Sequence, residues 1–233
     1  TKQIVTFSNE LSSLKYIESN EIEPLFYAKD SFKDDGEKIK YIKKVEAVVR
    51  RSQEYSDLIK YIRTDLEINR CTVLSALSAG KVSVELHHAP FTLFDIVETI
   101  LNNRINKGLV FTTLNLAEEV LILHYEGLVG LTPLSATIHE LVHSGGMYVN
   151  PKDIIGDIEG FVTRYSGNLS EAAVEKIVSF RDFKEDDLIS KSAIVFDNNK
   201  EAEFKAKIET TNSILFSSKN NLVQNDNAIG EYE

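Results

Sequence analysis

The sequence predicts a predominantly helical α+β fold. Apolar residues recur at spacings of three and four along several stretches, whereas residues 82–88 alternate apolar and polar side chains. The first pattern is typical of amphipathic helices and the second of a half-buried strand. Candidate capping residues precede most of the helical stretches and indicate where the helices begin.

Residues 1–80 are predicted to form an N-terminal helical region. A helix is expected near residues 9–18, and a second begins at residue 37, where the apolar side chains follow helical spacing: Ile39, Ile42, Val45 and Val49. Ser52 is expected to cap a further helix with the apolar stripe Tyr55, Leu58, Ile59, Ile62 and Leu66.

The stretch "KVSVELHHAP" predicts a strand that ends at Pro90. Because neighbouring side chains on a strand point to opposite faces, Glu85 and His87 share one face. His88, at the exit of the strand, points to the other face or into the following turn.

A helical hairpin is predicted over residues 92–126. Thr92 and Asp95 have the spacing of a capping box, and Asn115 is expected to cap the second helix in the same way. His124 lies on the apolar face of that second helix, where a histidine is more often a core or hydrogen-bonded residue than a ligand.

The stretch "TPLSATIHELVHSGG" predicts a helix capped by Ser135, with His139 and His143 on one side because they are four residues apart. Beyond residue 146, the sequence predicts a C-terminal α/β extension, residues 147–233. It comprises a helix near 170–180, strands at 193–196 and 214–216, and a polar tail.

Composition and charge narrow the functional classes. Cys71 is the single cysteine, so no internal disulfide can form, and no apolar run reaches the roughly 18 residues of a membrane span. We therefore expect a cytoplasmic protein with no membrane partner. The net charge of −10 opposes broad attraction to nucleic acid, although cations are concentrated in residues 38–51.

One hypothesis for the histidines is a zinc metallopeptidase. His139, Glu140 and His143 form an H-E-x-x-H string, in which two histidines bind zinc and the glutamate polarises water. The motif does not identify the third zinc ligand, for which Glu159 and Asp157 are candidates.

A second hypothesis uses more of the sequence. The blocks "ELHHAP" (85–90) and "GLTPLSATIHELVH" (130–143) resemble the HNH endonuclease family, particularly the colicin-type DNases. The second block is similar to the family pattern NLxPLCxxCHxxxH. The resemblance covers residues 81–146 and implies a ββα-metal finger, here with the helical hairpin (about 92–126) inserted between its two strands.

The resemblance also implies roles for individual residues. His87, His139 and His143 would bind a divalent metal ion (Zn, or Mg, Mn or Ni), and His88 would act as the general base. Glu85 would support catalysis by orienting a ligand, and Lys81 would approach phosphate. The substrate would be DNA, and the protein would be encoded by a phage, located in the host cytoplasm or the virion.

The chain departs from the family pattern at Gly130, where the family has an asparagine that holds the loop of the general base. Substitution for this asparagine by His124 is an alternative to a core role for that histidine. A non-catalytic virion or complex component that keeps the metal finger as a scaffold, with protein partners in the particle, is therefore the alternative to the nuclease.

Overall fold

The structure of the chain, a computed structural model, describes residues 26–74, 80, 82–144, 147–183, 203 and 205–213. The predicted helix at 9–18, Lys81, the predicted strands at 193–196 and 214–216, and the polar tail lie outside the described residues.

Within these ranges the chain is mostly helical, with one small antiparallel sheet, so the predicted α+β class is confirmed at this level. In chain order the elements are α1 (Asp35–Arg51), α2 (Gln53–Thr64), β1 (Val84–His88), α3 (Leu93–Asn106), α4 (Thr113–Tyr125), β2 (Leu131–Ser135), α5 (Ala136–His143), α6 (Ile158–Arg164) and α7 (Glu171–Arg181). Short 3-10 turns lie at Lys29–Ser31 and Pro151–Asp153. No helix in this part of the chain is long and apolar enough to cross a bilayer.

Local capping chemistry sets the helix starts. Ser52 caps α2 by accepting a hydrogen bond from the Tyr55 backbone (3.1 Å), and Thr92 and Asp95 form the predicted box at the start of α3. The expected cap at Asn115 is wrong. Helix α4 begins earlier because Thr112 has extended backbone angles and accepts a hydrogen bond from the Asn115 backbone (3.1 Å).

The sheet pairs β1 with β2, and the α3–α4 hairpin lies between the two strands in sequence, as predicted. His87 pairs with Thr132 and Glu85 with Leu134. Helix α5 follows β2 directly, with no loop between them, so the position of the helix start relative to the sheet is fixed.

A large hydrophobic cluster joins most of the helices, and α1 packs against α3 and α4. A second, small cluster of Cys71, Leu134 and Ile138 attaches α5 to β2. The division of the chain into three regions at residues 80 and 146 stays a prediction.

Candidate metal centre

Two elements present the three histidines. Strand alternation places His87 on the face of the sheet that α5 covers, and helical spacing places His139 and His143 on one side of α5. Packing of Leu134 and Ile138 holds α5 in this position. His87 is buried, His139 is half-buried and His143 is exposed, so the cluster opens from the protein interior to the surface.

The three side chains form a compact group. One nitrogen from each of His87, His139 and His143 lies within 4.8 Å of the others, and no other group of three or more potential ligands occurs among the described residues. The Nε2 atoms of His139 and His143 are 3.0 Å apart. Ligands of a tetrahedral zinc ion with bonds of about 2.0–2.1 Å lie about 3.3 Å apart, so this spacing fits a bound ion.

Glu85 contacts this group from the edge. Its Oε2 lies 2.8 Å from Nδ1 of His139, and because a carboxylate accepts, Nδ1 donates in this contact. Nε2 of His139, the nitrogen that lies next to Nε2 of His143, then carries the free lone pair. A carboxylate behind a ligating imidazole orients the ring and raises its basicity.

The environment keeps His87 in the form that binds metals. Burial, followed by the charges of His139 and His143, lowers the pKa of His87 to about 4. At neutral pH this imidazole is therefore uncharged, and neutral imidazole is the form that binds zinc.

His88 lies on the opposite face of β1. Its Nε2 is 3.0 Å from Nε2 of His124 on α4, and the Tyr55 ring stacks on it with centroids 6.3 Å apart. Burial, then His124 and Arg50, lower the pKa of His88 well below its usual value. The predicted general base is therefore a buried residue that faces α2 and α4, whereas the three-histidine group faces α5.

Gly130 leaves no space for the asparagine of the HNH pattern. A Cβ atom at this position would lie 1.9 Å from the carbonyl oxygen of Ala89. Instead, the backbone N–H of Ala89 donates to the carbonyl oxygen of Gly130 (3.1 Å). The segment after His88 is thus held through backbone atoms.

The ligands considered for a zinc peptidase have other contacts. The two carboxylate oxygens of Glu159 accept hydrogen bonds from Arg181, and Asp157 caps α6 by accepting from the Gly160 backbone (2.8 Å). Glu140 is exposed on α5. In the described part of the chain, His87 is the residue that joins His139 and His143.

Tyr55 is part of the His88 site and was missed by sequence reasoning. Its position in α2 predicted only an apolar stripe, yet its ring also meets the edge of His124 with centroids 5.5 Å apart. Helical spacing identifies a buried face but does not say which distant residue that face meets.

The model of the bacteriophage G278-like virion protein family matches residues 3–217, so the chain belongs to that family. No curated protein and no solved structure matches the chain. The family confirms the expected phage origin and fits a virion-associated protein with partners in the particle. It does not support membership of the HNH family, nuclease activity or a DNA partner.

Proposed function

We propose that the chain is a non-catalytic component of the phage particle, in which a divalent cation bound by His87, His139 and His143 links β1 to α5. The observation that carries this proposal is the convergence of three imidazoles from two elements, together with the virion family. The β1–β2–α5 unit is then a small metal finger that serves as a scaffold for contacts with other virion proteins.

A metal crosslink would add stability to this part of the fold. Helix α5 has eight residues, fewer than an isolated helix requires, so its position depends on its packing against β2. Among the described residues, the cluster beneath α5 has three buried members, Cys71, Leu134 and Ile138. Because ligands come together only in the folded chain, the free energy of metal binding adds to the free energy of folding.

The donor set indicates the kind of ion. Three imidazole nitrogens suit zinc, nickel or copper, whereas magnesium and manganese prefer oxygen ligands. We therefore expect the site to bind zinc or nickel with higher affinity than magnesium. The carboxylate of Glu85 supports this set from behind His139.

The position of His88 favours a non-catalytic scaffold and not an enzyme that uses this histidine as its general base. A general base must reach the attacking water, but His88 is 6% exposed and its Nε2 contacts His124. The net charge of −10 also opposes binding to phosphate groups.

Metal analysis of the purified full chain tests this proposal. We expect about one zinc or nickel ion per chain in the wild type and loss of that ion in a His139→Ala variant. A Glu140→Ala variant changes an exposed residue of the same helix and should keep the ion. Absence of stoichiometric metal after incubation of the wild type with zinc would refute the proposal.

An HNH-type DNA endonuclease is the second candidate. The three histidines leave further coordination positions of a bound ion open, and His143 lies at the surface where a phosphate could approach. When bound, the ion would stabilise negative charge on a phosphodiester, and Glu85 would keep His139 oriented towards it. His88 would be the general base of such an enzyme.

Plasmid cleavage separates the two candidates. A nuclease should nick plasmid in the presence of Mg²⁺, Mn²⁺, Ni²⁺ or Zn²⁺, and a His88→Ala variant should lose cleavage while it retains metal. A scaffold should leave the plasmid intact with all four ions.

A further inference from the structure

The adjacent histidines of β1 contact different helices because they lie on opposite faces of the strand. His87 faces α5, and His88 faces α4. A shift of one residue in the pairing of β1 with β2 would exchange the two rings, because the side-chain period of a strand is two. The ligand set of the proposed metal centre therefore depends on the register of this strand.

Hydrogen bonds on the α4 side define which nitrogen of His88 carries a hydrogen. Nδ1 of His124 lies 2.7 Å from the carbonyl oxygen of Val120, and because a carbonyl only accepts, Nδ1 of His124 donates. With Nδ1 as donor in an uncharged ring, Nε2 of His124 is an acceptor. The neighbouring Nε2 of His88, 3.0 Å away, is then the donor.

The surroundings of this pair leave little freedom for either ring. His88 and His124 are both buried, and the Tyr55 ring packs parallel to His88 and edge-on to His124. If His88 turned away, the lone pair of His124 would stay buried without a donor, which is unfavourable because the desolvation of that nitrogen would not be compensated.

We propose that His124 is a positioning residue that selects His87, and not His88, as the metal ligand. It does so by accepting the Nε2 hydrogen of His88, which holds that ring on the α4 side of the strand. This inference rests on the proposed metal centre and deepens it, because it assigns a role to the helical insertion.

Long-range ¹H–¹⁵N correlation spectra of the ¹⁵N-histidine-labelled full chain test the hydrogen-bond chain directly. We expect His88 as the Nε2–H form and His124 as the Nδ1–H form, both with and without zinc. A His88 ring in the Nδ1–H form would overturn the proposal.

Two variants then test the selection of the ligand. His124→Leu removes the acceptor and should weaken zinc binding by about tenfold, the equivalent of one lost buried hydrogen bond. His124→Gln offers a side-chain oxygen that can accept from His88, so it should restore the Nε2–H signature and zinc affinity to within a few-fold of the wild type. Both variants are checked for helix content by circular dichroism.

The outcomes distinguish this inference from the proposed function. If zinc binds the wild type and the leucine variant equally, and both fold, the metal centre stands and the role of His124 is refuted. If the wild type shows the expected histidine forms but binds no metal, both the metal centre and the selection are refuted. If neither His124→Leu nor His124→Gln folds, unchanged zinc affinity in a Tyr55→Leu variant, which loosens the same pair, would overturn the selection, and reduced affinity would support it.

Discussion

His143→Ala is the sharpest perturbation of the proposed metal centre because His143 is exposed on α5, so its removal leaves the hydrophobic core intact. Substitutions at such positions change the free energy of unfolding by no more than about 0.5 kcal/mol. Loss of one of three ligands, in contrast, should abolish tight metal binding. The variant therefore separates the metal contribution from packing.

The size of the effect follows from linkage. At a free zinc concentration of 100 times Kd, metal binding stabilises the folded chain by about 2.7 kcal/mol. For a protein of this length each 1 kcal/mol raises Tm by about 2–4 °C, so zinc should raise the Tm of the wild type by about 5–11 °C. The His143→Ala variant should show almost none of this shift.

Differential scanning calorimetry with EDTA and with buffered zinc measures the Tm shift of the wild type and of the His143→Ala variant. The Glu140→Ala variant is the matched control, since it changes an exposed residue on the same helix and should keep the full shift. A zinc shift of wild-type size in His143→Ala would show that His143 is not a ligand. A wild type whose Tm does not respond to zinc would refute the metal crosslink itself.

Three further predictions concern residues around the site. Glu85→Ala should weaken zinc binding by about 10–100-fold in isothermal titration calorimetry, because the contact with His139 is lost. Acid should destabilise the chain through His124, whose pKa is lowered by burial from 6.5 to about 4. As the pH falls, His124 is protonated in the unfolded chain before it is protonated in the folded chain. Its contribution to the free energy of unfolding is therefore fully present above pH 6.5 and is lost, by about 3 kcal/mol, as the pH falls to 4; urea unfolding measures this loss. Gly130→Ala should lower the free energy of unfolding by about 3 kcal/mol or more in the same assay, because its Cβ would overlap the Ala89 carbonyl.

Each of these predictions has a control. Glu85→Ala should leave the Tm in EDTA nearly unchanged. His124→Phe should make the loss of stability between pH 6.5 and 4 smaller, and the loss that remains should come from His87 and His88, whose pKa values burial also lowers. Gly108→Ala is the comparison for Gly130, since a Cβ there meets nothing within 4 Å and only its left-handed backbone costs about 1–2 kcal/mol. Equal losses at the two glycines would contradict the steric argument.

Much of the local structure was predictable from the sequence. Helical spacing located α1, α2 and α3, and the alternation before Pro90 located β1, because each pattern depends on neighbours a few residues apart. The start of α4 was misplaced because Thr112 and Asn115 are both good capping residues, and the backbone around them decides between the two.

The sequence by itself determined which residues share a face: Glu85 with His87 on a strand, and His139 with His143 on a helix. Tertiary structure decided which of these faces meet. It brought His87 to α5, joined His88 to His124 and Tyr55, and placed the Ala89 carbonyl where a side chain at Gly130 would lie. The physical reason is that periodicity records only local geometry, whereas contacts between distant segments depend on how the whole core packs.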